Sequence, residues 1–324
     1  MVAPSILPEI VSDAKRDGAA LEAVSDDVDL INKVKGIKDT ERRKSIDKNV
    51  GTKKDGRNAH ARAEVDKDDM FRNYLDACER VKSFYREQHT KQTVAFNLAA
   101  RVKYNSTVRA KMGIWQALEK LNTLIDESDP DTELSQIEHL LQTAEAIRRD
   151  GKPRWFQITG LIHDLGKLLY FFDAPGQWAV VGDTFPIGCA FSDTIIYPET
   201  FADNPDDGHP IYSTELGIYT EHCGLDSVML SFGHDEYLYQ VLKRQSSLPE
   251  EALAMIRYHS FYPWHREGGY KYLMNEKDHE MLNAVKEFNP YDLYSKADLP
   301  PNVDELKSYY LDLIKEFFPE EIEW

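Results

Sequence analysis

From Met70 onward, apolar side chains return every three or four positions in one stretch after another, and that spacing commits the chain to packed helices before any motif is read. "RNYLDACERVKSFYREQHTKQTVAFNLAARVKYN" places Tyr74, Val81, Phe84 and Tyr85 on one face, then Val94, Leu98 and Val102 on a second. "MGIWQALEKLNTLIDES" repeats the pattern at Ile114, Ala117, Leu118, Leu121 and Leu124, and stops in the turn-forming "DESDPDTE" at Pro130. "SQIEHLLQTAEAIRRDG" is another helix, ended by Gly151. Trp155, Ile158, Ile162, Leu165 and Leu169 make "RWFQITGLIHDLGKLLYFF" a buried helix in which Gly160 and Gly166 permit close approach. The period lapses in "QWAVVGDTFPIGCAF", which predicts short extended segments around a Gly182-Asp183 turn. It resumes in "STELGIYTEHC", "HDEYLYQVLKRQ", "PEEALAMIRYHSFY", "EKDHEMLNAVKEFN" and "NVDELKSYYLDLIKEFF". The expected class is all-α, a compact helical bundle with a few short extended segments.

The residues before this region have another character. Gly36 to Lys67 is charged, lacks aromatic residues and carries few large apolar ones, so it has too little to bury against the entropy of ordering. Residues 1–67 are therefore expected to be a mobile charged extension, with Arg42-Arg43-Lys44 and Lys53-Lys54 as solvated clusters, and residues 68–324 to be one domain. A formal charge of -17 argues against general binding to nucleic acid or an anionic membrane. No leader-like start and no apolar run of about 20 residues is present. Cys78, Cys189 and Cys223 are too dispersed for a thiolate metal site or a disulfide framework. The expectation is a soluble cytoplasmic monomer.

Within the buried helix, His163 and Asp164 stand side by side, and neighbouring helical residues point about 100° apart, so they suit the edge of a metal site better than a shared contact. A carboxylate has two oxygens with which to bridge a pair of ions. Taken alone, the pair fits a satisfied core histidine better than a metal site. Three more histidines sit on or beside apolar faces, His139 in "IEHLLQTAE", His234 in "LSFGHDEYLY" and His259 in "IRYHSFYPWH". Burying four imidazoles and the nearby acids without partners is costly, and a shared metal centre would account for all of them. Asp292, in "FNPYDLYSK", follows Pro290, where a helix break is expected.

The ordered strings "HLLQTAE", "HDLGK", "VVGDTFP", "DNPD", "YSTELG", "HCGLD", "GHDEY", "HSFYPWH" and "FNPYDLYSK", with the upstream "FRNY" and "DESDPD", closely resemble the myo-inositol oxygenase family. That family is an iron-dependent branch of the HD-domain superfamily, and the resemblance runs nearly continuously from Met70 to Trp324. "HDLGK" alone reaches only the superfamily; the ordered set is specific. The resemblance implies an HD-type helical core and two iron ions, mixed-valent Fe(II)/Fe(III) in the active form. One would be held by His139, His163, Asp164 and Asp292, the other by His234 and His259, with Asp164 bridging. Asp235 lies outside the family's ligand pattern and reads as an acid at the surface or behind the ligands. The family's substrate positions fall on Arg72, Tyr85, Asp126, Glu127, Ser128, Lys167, Gly182, Asp183, His259, Ser260 and Lys296.

By the same resemblance the chain is expected to cleave the C1–C6 bond of myo-inositol with O2 to give D-glucuronate, the first step of inositol catabolism. Asp164 and Lys167 would be central to catalysis, with Lys167 favouring the alkoxide of a metal-bound hydroxyl. A neutral polyol calls for a ring of hydrogen-bonding groups rather than a cationic pocket, which Asp126, Glu127, Ser128, Asp183 and Ser260 offer. No GxGxxG segment or P-loop suggests a further cofactor. The alternatives are an HD-domain metal-dependent phosphohydrolase, sharing His163, Asp164 and Lys167, and a catalytically silent binding protein.

Overall fold

The computed structural model describes Tyr74 and residues 77–128, 135–294 and 301–324, all in one compact unit. The extension 1–67, Arg72 and Lys296 lie outside the described residues. Ten α-helices and a two-stranded sheet are seen among those described. α1 (Glu79–Lys91) buries Val81, Phe84, Tyr85, Gln88 and His89 at helical spacing. α2 (Val94–Asn105) is capped by the Thr93 side chain, which accepts from Phe96 N. Its buried face is not the expected one, since Leu98 and Val102 are 56% and 71% exposed. A polar residue takes the inward position. Asn97 accepts from Phe232 N at 2.7 Å and donates to Gln92 Oε1 at 2.9 Å, and those buried bonds fix the rotation of the helix.

α3 (Ile114–Leu121), α4 (Gln136–Arg149) and α5 (Arg154–Ile162) follow. Ser135 and Glu138 close a capping box at the start of α4. The helix expected through "GLIHDLGKLL" stops at Ile162, and a 3₁₀ turn covers Leu165–Phe171, so His163 and Asp164 occupy the joint. Packing explains the change. A Cβ on Gly166 would lie 2.0 Å from the backbone oxygen of His234, so the turn comes against the backbone of the next site helix.

The region predicted as extended holds a 3₁₀ turn at Gln177–Ala179 and one isolated bridge, Pro186 to Leu230. The sheet lies elsewhere, with β1 (Lys111–Met112) antiparallel to β2 (Ile322–Glu323). "STELGIYTEHC" forms turns instead of the predicted helix; Gly217 has φ +55 there, and a Cβ on it would fall 1.9 Å from Gly188 O. The remaining helices are α6 (His234–Leu242), α7 (Glu250–Tyr258), α8 (Tyr262–His265), α9 (Glu276–Tyr294) and α10 (Val303–Phe317). Pro290 lies inside α9 and does not end it, which keeps Asp292 on a helix. α4 packs on α5, α9 on α7 and α4, and α6 on α7 and the Leu165–Phe171 turn. Among the described residues no helix is long and apolar enough to cross a membrane.

Candidate metal centre

The helices that pack together each deliver one or two polar side chains to a common point. His139 comes from α4, His163 from the C-cap of α5, Asp164 from the joint after it, His234 from the first position of α6, His259 from the C-cap of α7 and Asp292 from the last turn of α9. All are buried. Their neighbours fix the imidazole protons. Nδ1 of His163 lies 2.8 Å from Gly160 O, Nδ1 of His234 2.8 Å from Val180 O and Nδ1 of His259 3.0 Å from Ile256 O. A carbonyl only accepts, so each Nδ1 carries hydrogen, and in the neutral ring Nε2 presents a lone pair inward.

Those inward atoms face acceptors. His163 Nε2 is 3.3 Å from Asp292 Oδ1 and 3.6 Å from Asp164 Oδ2, without a hydrogen bond among the described residues. His139 Nε2 is 3.0 Å from Asp292 Oδ1 and 3.9 Å from Asp164 Oδ2. On the other side His234 and His259 Nε2 lie 3.4 and 3.5 Å from Asp164 Oδ1, and 3.3 Å from one another. Asp164 thus turns one oxygen to each imidazole pair. Ligand atoms of His139, His163 and Asp292, of His163, Asp164 and His259, and of His234, Asp235 and His259 lie within 4.8 Å of one another in each group. Lone pairs facing lone pairs fit cations between them, and an imidazole and carboxylate set without thiolate suits first-row ions.

The charge distribution agrees. Burial alone would raise the Asp164 carboxyl, but Lys167 and the imidazoles outweigh it and hold the group well below the usual carboxylate range. Burial of Asp292 is likewise outweighed, by His163 and His139. For His259, burial pushes the ring down, yet Asp235, Asp164 and Asp292 raise it to about 9, so metal binding there displaces a proton. Lys167 Nζ bridges Asp164 Oδ2 and Asp126 Oδ2, at 2.8 Å each. Burial opposes its charge, but the two carboxylates hold it well above its ordinary range, so it is an ammonium.

Of the predicted polyol contacts that are described, Asp126 reaches this centre through Lys167 and Ser260 through His234 and Asp235. Asp126 Oδ1 accepts from Ser128 N at 2.8 Å and Ser128 Oγ at 2.6 Å, and Glu127 N donates to Gln177 Oε1 at 2.9 Å. Asp183 Oδ1 accepts from Tyr85 OH at 3.2 Å, and Ser260 follows His259 directly. Gly182 has φ +91, and a Cβ there would meet Phe84 at 2.7 Å. Sequence reasoning missed the residues that brace these positions. Gln88 Nε2 donates to Val181 O at 2.9 Å, and Arg80 Nη1 to Asp126 O at 3.1 Å. Of the two readings of Asp235 the surface one fails: it is only 1% exposed, with Oδ1 2.8 Å from His234 Nε2. The one available signal was its place beside His234 at a helix start.

A helical scaffold that buries four imidazoles with their Nε2 atoms turned onto carboxylates has the construction of a His/Asp metal-binding protein. The family model for myo-inositol oxygenase matches residues 78–324. "Inositol oxygenase 1" of Arabidopsis thaliana is 52% identical over 262 residues, 78% of this chain and 84% of that protein. "Inositol oxygenase" of Dictyostelium discoideum is 51% identical over 261 residues, 78% of this chain and 89% of its own length. The Mus musculus protein of the same name is 48% identical over 261 residues, covering 79% and 91%. The chain belongs to the myo-inositol oxygenase family.

Proposed function

We propose that this chain is a di-iron oxygenase that cleaves the C1–C6 bond of myo-inositol with O2 to yield D-glucuronate, with residues 68–324 as its catalytic domain. The observation that carries the reading is the division of Asp164, Oδ1 toward His234 and His259 and Oδ2 toward His163 and His139. His139, His163, Asp164 and Asp292 would hold one iron, and Asp164, His234 and His259 the other. Bound there as a mixed-valent Fe(II)/Fe(III) pair, the metal supplies Lewis acidity toward substrate hydroxyls and one-electron chemistry with O2. Names and family membership support the substrate; the donor set supports the metal.

The protein groups have separable tasks. Lys167 uses two of its three N–H bonds on Asp126 and Asp164, which leaves one for a substrate oxygen. Because its charge is held so firmly, it stabilises an alkoxide as a fixed cation and does not surrender a proton. Asp126 has Ser128 on one oxygen and Lys167 on the other, so its role is to position them. Asp183, whose Oδ1 accepts from Tyr85 OH, is one of the proposed substrate contacts, and Gly182 lets the Phe84 ring lie close to the backbone. Arg72, Glu127, Ser260 and Lys296 complete the proposed polyol contacts.

A phosphohydrolase is disfavoured by the family match, and among the described residues Lys167 is the one lysine or arginine paired with Asp164, where a phosphate site wants several cations. The chain's acidity supports a cytoplasmic monomer that binds neither nucleic acid nor membrane. The test is anaerobic loading with ferrous iron, limited oxidation, and measurement of oxygen uptake and glucuronate with myo-inositol. Near-equal amounts are expected. Iron-loaded protein with no inositol-dependent uptake would overturn the reading.

A further inference from the structure

The second imidazole pair has a neighbour that the proposed chemistry has not used. Asp235 is the second residue of α6, 1% exposed, and its carboxylate is held from several sides. Oδ2 accepts from Thr184 Oγ1 and Ser260 N, at 3.2 Å each, and Oδ1 accepts from Ser260 Oγ at 3.2 Å. Thr184 N in turn donates to Ser260 O at 2.9 Å, which ties the two holders together. Oδ1 lies 2.8 Å from His234 Nε2 and 3.4 Å from His259 Nε2. The start of α6 also favours an anion here.

Ser260 Oγ stands 3.3 Å from His234 Nε2 as well. Once that nitrogen's lone pair is given to a metal, the hydroxyl hydrogen has only Asp235 Oδ1 to go to, and the oxygen of Ser260 turns its own lone pairs to the centre. We propose that Asp235 is a positioning residue for the second metal position: it fixes Ser260 as an acceptor there and sets a permanent negative charge against His234 and His259, favouring the more oxidised state of the ion they hold. This rests on the di-iron reading above. A fixed charge stabilises Fe(III) more than Fe(II), and burial leaves it little screened. Among the described residues the first position has no such unshared acid, because Asp292 is itself a proposed ligand and Asp164 is shared with Lys167.

The test compares the iron-loaded wild type with Asp235→Asn, Asp235→Glu and Ser260→Ala, by iron content, by spectroscopic redox titration of the mixed-valent state, and by KM against kcat for myo-inositol. Asp235→Asn keeps acceptors for Thr184 and Ser260 N, so two irons per chain are expected. It should shift the reduced-to-oxidised ratio at fixed potential at least tenfold toward the reduced form, a rise of about 59 mV for a one-electron couple. Asp235→Ala gives the same direction if the amide variant fails to fold. Asp235→Glu, which keeps the charge, should stay near wild type, and Ser260→Ala should leave the potential in place while raising KM. An unchanged potential in a two-iron Asp235→Asn protein overturns the proposal. So does loss of one iron from that variant, which would make Asp235 a ligand. A wild type that binds no iron pair would instead sink the di-iron reading, and is seen without any variant.

Discussion

Gly166→Ala is the smallest change expected to disable the site without touching any of its side chains. The new Cβ would fall 2.0 Å from His234 O, 2.6 Å from its carbonyl carbon and 2.9 Å from its Cα, where ordinary contact begins at 3.4 Å. The shortfall to the oxygen is about 1.4 Å, and all three atoms are backbone, so no flexible side-chain tip can move aside. Either the Leu165–Phe171 turn withdraws, carrying Lys167, or the start of α6 does, breaking the 2.7 and 2.8 Å bonds from His234 N and Nδ1 to Val180 O. Overpacking of this kind costs about 1–3 kcal/mol, toward the upper end here. For a domain of this size that lowers Tm by roughly 2–12 °C. The assay is thermal unfolding of the metal-free protein together with iron content after loading. A melting point within about 1 °C of wild type, with full iron content, would refute the claim that this contact sets the position of His234.

Lys167→Ala is expected to retain iron but to lower kcat by about 10²-fold or more, as loss of a charge at the developing alkoxide would; near-normal turnover would remove its role. Arg257 and Glu236 form a buried pair, Nε to Oε2 at 2.8 Å. Arg257→Met should therefore cost about 3–5 kcal/mol by stranding the acid, and Glu236→Gln added to it should recover part of that loss in denaturant titrations. His89 is pushed down to about 3 by burial, which the backbone around Tyr197 only partly offsets. Its ring is neutral in the fold and protonates near 6.5 when unfolded, so its contribution is full above that pH and is lost as pH falls toward 3. His89→Gln should flatten the stability profile between pH 6 and 4 by up to about 1.4 kcal/mol per pH unit; parallel profiles would refute this.

The helices were legible because their apolar period was intact, and their failures are informative. Leu98 and Val102 have the right spacing to be core, yet Asn97 outbids them through bonds to residues that are distant in sequence, Phe232 among them. Gly217 forbids the helix in "STELGIYTEHC" through contact with Gly188, a partner its local pattern cannot name. Six candidate ligands could be picked out because histidines on apolar faces are conspicuous and because the ordered strings matched a family. Asp235 could not, since acids at the second position of a helix are ordinarily solvated and dipole-favoured. Its burial depends on Thr184 and Ser260 arriving from two other segments.

The two halves of the centre are built by the same local device and differ in their acids. His163 and His259 each cap the helix they follow and each donate Nδ1–H to the carbonyl three residues back. To one half Asp292 adds a carboxylate shared between His139 and His163; against the other stands Asp235, held by its own hydrogen bonds. Removing Asp292 should therefore cost one metal position, whereas removing Asp164, which faces both, should cost two. Asp292→Ala is expected to retain about one iron per chain and Asp164→Ala none, with both still folded, since loss of metal leaves buried imidazoles able to pair with the remaining acids. Iron analysis after desalting measures both. Equal retention in the two variants would mean that Asp164 does not join the halves.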